Sequence, residues 1–318
     1  MALPGCQTSR SQFVHRSQPL LGTFVVVTAC GAQRDATHRA ISAAFDEVRR
    51  VDSLMSLHRA DSELARVNAG AAHGPIRVSQ ELFYVVSNAL GIARQTRGSF
   101  DPTVAPLTQL WGFLWKDHRL PTPAEIEPIL PRVNYMLVEL DPEHRTVLFK
   151  TNGVSLDLNA IAKGYAVDCA IEKLRALGIT NAMVRAGGDL RVIGAPPNED
   201  RWSVQIEDPT KAGDRRTLRL RDAALSTSGS YENFFVVDGR RYSHILNPRT
   251  GMPVEGIASC TVIAPTCMQS DAWATALFVL GLEPAMRQFG RDIPALFGLW
   301  TGEDRIRWQQ SSSFGGFR

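Results

Sequence analysis

No stretch of this 318-residue chain approaches the roughly 18 consecutive apolar residues of a membrane-spanning helix. The longest apolar clusters, residues 23–29 and 272–282, have the lengths of a buried strand and a core helix. Cysteine is scarce and unpatterned. Cys6, Cys30, Cys169, Cys260 and Cys267 are odd in number and show no CxxC spacing, which argues against a disulfide framework and a zinc site. An excess of one charge is also missing, since 35 Lys and Arg face 32 Asp and Glu, a net charge of +3. The densest basic clusters, 215–221 and 240–241, are interrupted by apolar residues and flank turns, so they read as solvated surface and no nucleic-acid partner is expected. The sequence contains no P-loop, GxGxxG, GxSxG or HExxH motif, no internal repeat and no low-complexity linker.

What is present is an ordinary globular composition, 44% hydrophobic and 21% charged, which excludes disorder and collagen-like repeats. The first ~18 residues are polar and read as a flexible segment, leaving residues 19–318 as the folded domain. Residues 22–29 (GTFVVVTA) read as a buried strand. Asp35 is placed to cap a helix whose Ile41, Ala44, Phe45, Val48, Val51 and Met55 share one face. A second helix runs from about 79 to 95, and residues 97–139, rich in Pro, Trp and Gly, read as irregular with short elements. Residues 154–158 read as a strand, and 164–177 as a helix stopped at Gly178. Residues 182–194 read as a strand interrupted at Gly187-Gly188 by a bulge or a close backbone approach. Asp238-Gly239 between 234–237 and 240–245 predicts a tight hairpin. A strand at 258–264 and a helix at 270–280 complete a pattern that favours α+β over a doubly wound parallel sheet.

Five segments can carry chemistry. Asp271 and Thr275 stand four apart at a helix start and share a face. Two oxygen donors there suit a hard cation such as Mg²⁺, although aspartate at a helix N-terminus is also favoured by capping and the dipole. In 156–168 (LDLNAIAKGYAVD), Asp157 closes the expected strand, and amides at the following helix start, with Lys163, can hold a phosphate or simply form a strand–helix connection. In 242–251 (YSHILNPRTG), His244 precedes a turn and can serve as a general base or a structural polar contact. In 98–106 (GSFDPTVAP), Asp101-Pro102 favours a turn and Phe100 can lie against a flat ring or in the core. Residues 223–231 (AALSTSGSY) set hydroxyls beside a glycine, as a Ser-rich turn also would.

Together and in this order these segments resemble the ApbE-type FAD:protein FMN transferases. The pattern runs through LGT (21–23), MSLHRADSELARVN (55–68), GSFDPTVAPLTQLWGF (98–113) and LDLNAIAKGYAVD (156–168). It continues through RAGGDLRVIG (185–194), STSGSYE (226–232), YSHILNPRTG (242–251) and SDAWATALFVLG (270–281). The resemblance implies a two-lobed α+β fold with mixed and antiparallel sheets and a ligand cleft between the lobes. It implies Mg²⁺-dependent transfer of the FMN moiety of FAD, the substrate, to a Thr or Ser hydroxyl of an acceptor protein, with release of AMP.

Carried over position by position, the resemblance implies a metal held by Asp271, Thr275 and the backbone carbonyl of Ala160. It implies FAD contacts at Leu21, His58, Ser99, Phe100, Asp101, Asp157, Lys163 and His244, with His244 or Asp157 as the base. Leu21, His58, Asn159-Ala160, Ser230 and Asn247 depart from the common pattern, at positions bearing on flavin affinity more than on the metal. The implied acceptor carries an Asp/Ser-Gly-Ala-Thr/Ser-like target. An FAD pyrophosphatase yielding FMN and AMP, or a non-catalytic FAD-binding or delivery protein, fits the same residues. The family implies a bacterial, cell-envelope location on the periplasmic side. Leu3-Pro4-Gly5-Cys6 resembles the end of a lipoprotein signal, giving a membrane tether through Cys6 if a signal lies upstream and a cytoplasmic protein if Met1 is the true start.

Overall fold

The computed structural model describes residues 12–208, 210, 216–302 and 305–317. In chain order the strands and helices are β1 (Gln12–Leu20), β2 (Thr23–Gly31), α1 (Arg34–Met55), α2 (Glu63–Gly70), β3 (Ile76–Arg77), α3 (Gln80–Gln95), α4 (Ala105–Leu110) and α5 (Pro123–Ile126). There follow β4 (Val138–Asp141), β5 (Thr146–Phe149), α6 (Ala162–Ala176), β6 (Asn181–Ala186), β7 (Asp189–Ile193), β8 (Trp202–Ile206), β9 (Arg216–Leu220) and β10 (Ala223–Gly229). The chain closes with β11 (Phe234–Val237), β12 (Arg240–Ser243), β13 (Ile257–Ala264), α7 (Cys267–Leu280), α8 (Leu282–Phe289), β14 (Ala295–Gly302) and β15 (Arg305–Gln310). No helix among the described residues is long and apolar enough to cross a membrane.

The main sheet has eight strands in the order β1-β2-β6-β7-β10-β13-β14-β15. Every neighbouring pair is antiparallel, so the α+β expectation holds. Helices α1, α6 and α7 cover one face. The apolar stripe expected for α1 is the buried one, from Ile41 to Met55, and each large side chain it buries contributes about 1.5–3 kcal/mol. The β8–β9 hairpin covers the other face, setting Trp202, Val204 and Leu220 against Leu190, Val192 and Leu225. A separate apolar cluster gathers Leu107, Trp111, Phe113, Ile126, Val133, Tyr242 and Leu246 beside the β11–β12 hairpin. Within it Trp111 Nε1 donates to the carbonyl of Gly251 at 2.8 Å.

Four local expectations are corrected. The expected flexible segment 1–18 is in part strand, since β1 pairs along its length with β2. Its polar composition belongs to an edge strand on which Val14 alone is buried among the described residues 13–20. The folded body therefore includes residues from Gln12 onward, and Cys6 lies outside the described residues. Residues 154–158 join no ladder among the described residues. Instead, the Asn68 side chain acts as a neighbouring strand, accepting from the Leu156 amide at 2.8 Å and donating to its carbonyl at 2.9 Å. Of the two readings of Gly187-Gly188 the bulge is replaced by a hairpin turn between β6 and β7, with Ala186 opposite Asp189 and Gly187 at φ +60°, while the close backbone approach holds at Gly188, where a Cβ would stand 2.9 Å from the carbonyl oxygen of Thr227. Asp35 lies in the first turn of α1, where it complements the dipole, and Gln33 takes the cap position.

Candidate active site

Helices α6 and α7 meet at their N-terminal ends. Gly164 sits where a Cβ would lie 2.3 Å from the carbonyl oxygen of Cys267, so only glycine permits the approach. Across this contact Asp271 Oδ2 accepts the Gly164 amide at 3.0 Å. One turn along α6, Asp168 accepts the amides of Cys267 and Met268, each at 2.9 Å, and pairs with Arg191 at 2.9 Å. The α6 amides expected to cradle a phosphate are largely committed, because Ile161 and Ala162 donate to Leu158 and Gly164 donates to Asp271.

Burial, with the neighbouring charge of Asp189, raises the pKa of Asp271 against the opposing pull of Lys163. Lys163 Nζ is paired with Asp189, which is 2% exposed. Burial works against the ammonium, but Asp189 and Asp271 hold it firmly charged, with its pKa raised. Thr275 shares a hydrogen bond with Ser228 at 2.9 Å. Among the described residues no three His, Cys, Asp or Glu side chains converge as a metal cluster. Asp271 and Thr275 offer a carboxylate and a hydroxyl one turn apart on α7. Such an oxygen-only set fits a hard cation, which would also relieve the buried charge on Asp271.

The 98–104 and 156–160 segments lie against one another, with the Asp157 amide donating to the Pro102 carbonyl at 2.7 Å. Asp101 is consumed in shaping its loop, accepting from the amide and hydroxyl of Thr103 at 2.9 and 2.6 Å and from the Tyr135 amide at 2.9 Å. Burial still raises its pKa. Asp157 is buried and likewise raised, while accepting the Asn159 amide at 2.8 Å. Ser99 is buried, and Phe100 is enclosed in the large core, so its ring is a packing element and not a face open to a flat ligand.

His244 Nδ1 lies 3.0 Å from the carbonyl of Asn233. A carbonyl only accepts, so Nδ1 carries the proton and Nε2 the lone pair. Burial lowers the His244 pKa to about 4, with the Lys163 charge pushing the same way and the Asn233 bond opposing. Phe113 packs edge-on to it at 6.3 Å. Exposed His58 makes an edge contact with Trp115 at 5.6 Å. Leu21 occupies the β1–β2 turn with φ +55°, followed by Gly22 at φ +69°. This primed turn lies beside the β6–β7 turn, with Thr23 Oγ1 3.4 Å from where a Gly187 Cβ would stand.

The structure thus groups Lys163, Asp271 and Thr275 at the α6–α7 end of the sheet, with His244 within reach of the Lys163 charge. Asp157, Asp101 and His58 form the adjoining loops, Leu21 sits on a neighbouring turn, and the Ala160 carbonyl lies in the turn entering α6. Sequence reasoning gave no role to Asp168, Asp189 or Trp115, and reached Ser228 only as one of the hydroxyls of 223–231.

Comparison with known proteins places the whole chain, rather than any one site residue, in a family. The ApbE family model matches residues 21–297. A FAD:protein FMN transferase of Vibrio cholerae serotype O1 is 34% identical over 319 residues, covering 99% of this chain and 95% of that protein. The crystal structure of the ApbE protein from Thermotoga maritima superposes with a TM-score of 0.88 at 32% identity, covering 96% of this chain and 99% of that one. The flavin transferase ApbE from Vibrio cholerae superposes at 0.87 and 31% identity, covering 97% and 100%. The match takes in all the site segments, from the Leu21 turn through α7, and extends into β14, and the chain belongs to the ApbE family.

Proposed function

We propose that this chain is an FAD:protein FMN transferase. It would move the FMN moiety of FAD to a Thr or Ser hydroxyl of an acceptor protein in a Mg²⁺-dependent reaction. The observation that carries this reading is the pairing of an oxygen-only donor set, Asp271 and Thr275, with a charged Lys163 and a neutral His244 in one site. Bound Mg²⁺, held by Asp271, Thr275 and the Ala160 carbonyl, would neutralise charge on the pyrophosphate. Lys163, steadied by Asp189, adds a fixed positive charge beside it. His244 presents its Nε2 lone pair to the acceptor hydroxyl. The hydroxyl oxygen forms a bond to the FMN phosphorus, the phosphoanhydride bond to AMP breaks, and the hydroxyl proton passes to His244. Asp157 is the second candidate base, but its engagement by Asn159 suits it better to holding the loop.

FAD binding is assigned to the surfaces around Leu21, His58, Lys163 and His244, with Ser99, Phe100 and Asp101 shaping the wall behind. The acceptor target is proposed as an Asp/Ser-Gly-Ala-Thr/Ser-like segment. The working location, taken from the family resemblance, is the periplasmic side of the cell envelope, with a tether through Cys6 if a signal lies upstream and a cytoplasmic protein if Met1 is the true start. Incubation with FAD, Mg²⁺ and an acceptor carrying an Asp-Gly-Ala-Thr segment, followed by mass spectrometry and in-gel flavin fluorescence, tests the reading. Covalent FMN on the acceptor only when Mg²⁺ is present is the expected result. Free FMN and AMP with an unmodified acceptor would replace it with a pyrophosphatase, and bound but unchanged FAD with a carrier.

A further inference from the structure

Helix α7 is capped twice. Thr266, its own N-cap residue, accepts the amide of Gln269 at 3.3 Å in the usual way. The two preceding amides, those of Cys267 and Met268, are taken by Asp168 from α6, one by each carboxylate oxygen at 2.9 Å. All three free donors of the first turn are thereby satisfied, two of them by a side chain roughly a hundred residues upstream. In return Asp271, one turn into α7, accepts the amide of Gly164, one turn before Asp168 on α6. Each helix therefore holds the other's N-terminal backbone with a buried aspartate, and Gly164 lets the two backbones touch.

We propose that Asp168 is a positioning residue for the cation site. By gripping the first two amides of α7 it fixes the height and rotation of that helix, and so the direction of the Asp271 carboxylate. This inference rests on the assignment of Asp271 as a metal ligand. Thr266 satisfies one amide of the first turn, and what a local cap cannot do is tie the other two to α6, as Asp168 does. Asp168 is not needed merely to neutralise Arg191, because Glu172 lies 3.1 Å from the same guanidinium nitrogen. Asp168 and Arg191 are each 9% exposed, so the carboxylate is held in one geometry by Arg191 while its oxygens face the helix.

The test compares Asp168→Asn with Thr266→Ala in the full chain. The asparagine must turn its NH₂ toward a backbone N–H or toward Arg191, so at least one of the contacts becomes donor against donor. Two readouts are taken: amide hydrogen exchange at Gly164, which reports whether Asp271 still reaches α6, and Mn²⁺ binding by electron paramagnetic resonance with FAD present. Asp168→Asn is expected to speed exchange at Gly164 by about tenfold or more. It should also weaken Mn²⁺ binding by about tenfold, as loss of a ligand-orienting partner does. Thr266→Ala is expected to lower Tm by about 2 °C or more while moving each readout less than about threefold.

Unchanged exchange at Gly164 in Asp168→Asn overturns the proposal. So does an equal response to Thr266→Ala, which would reduce Asp168 to generic helix support. Faster exchange at Gly164 in a protein whose wild type binds no Mn²⁺ upholds the positioning of Asp271 and removes its metal role. Should Asp168→Asn fail to fold, Asp168→Glu, which keeps the charge and shifts the carboxylate by one methylene, is read against the same two outcomes.

Discussion

His244 donates from Nδ1 to the carbonyl of Asn233 at 3.0 Å, and the backbone amide of His244 donates to that same carbonyl at 3.0 Å. One acceptor therefore fixes both the position of the residue and the tautomer of its ring, leaving Nε2 as the basic nitrogen. Removing the imidazole as His244→Ala is expected to lower kcat for FMN transfer by about 10²–10⁴-fold, the usual worth of a positioned base. Initial rates at saturating FAD and acceptor measure this. A variant within about threefold of wild type would take the base role away from His244 and return attention to Asp157.

The depressed pKa of His244 makes a pH prediction of definite sign. With its pKa near 4 in the folded protein, the imidazole is neutral and competent through the neutral range. The rate should show no acid limb at the ordinary histidine value of about 6.5; one there would contradict the assignment. Stability follows from the same shift. A folded pKa below the unfolded one means that protonation favours unfolding. The contribution is fully present above about pH 6.5 and is lost as pH falls toward 4. Thermal melts of the metal-free protein between these limits should show Tm falling as the pH is lowered, by less in His244→Gln than in wild type.

Asp271 is buried beside Asp189 and Lys163, with one oxygen used by Gly164. Asp271→Ala should abolish Mg²⁺-dependent turnover. Asp271→Asn, which can still accept the Gly164 amide, should keep more of the native stability than the alanine variant while losing most of the activity. Rates against Mg²⁺ concentration together with melting curves separate the two effects. Wild-type-like turnover in either variant would remove the metal assignment.

Leu21 takes a backbone conformation that suits glycine, and a β-hairpin needs only the turn, not that side chain. Left-handed backbone at a non-glycine residue costs about 1–3 kcal/mol and persists where function requires it. Leu21→Gly is accordingly expected to leave Tm within about 2 °C of wild type, relief of strain offsetting lost packing. It should weaken FAD binding severalfold, read by quenching of flavin fluorescence. Unchanged FAD affinity would mean that the strain serves the hairpin alone.

The legible features of this protein are those whose causes are local. The stripe of α1, the Asp238-Gly239 hairpin and the Asp271–Thr275 spacing each depend on residues within a turn or two of one another. Residues 154–158 look like a strand, yet the partner that satisfies Leu156 is a side chain 88 residues away. Asp168 and Asp189 look like ordinary polar positions because what gives them meaning, the amides of α7 and the ammonium of Lys163, arrives only through tertiary packing. The strand Gln12–Leu20 was hidden for the opposite reason, since an edge strand with one buried residue among 13–20 has almost no apolar alternation to read.

Gly164 is where these long-range relations meet, and it allows the most stringent mutation. A methyl group there would stand 2.3 Å from the Cys267 carbonyl oxygen, 2.6 Å from its carbon and 2.8 Å from the Met268 Cα. All three are backbone atoms that cannot rotate aside, so Gly164→Ala must push α7 away from α6. Alanine is the better helix former, and in an exposed helix the change would stabilise by about 0.5–1 kcal/mol. Here overpacking at a backbone contact should instead destabilise by about 1–3 kcal/mol. The displacement should also stretch the Asp271 bond and the Asp168 cap together, so the half-saturating Mg²⁺ concentration should rise along with the loss of Tm. Chemical denaturation and Mg²⁺ titration of the single variant measure both. A stabilised Gly164→Ala protein with unaltered Mg²⁺ dependence would show that α6 and α7 do not touch as described.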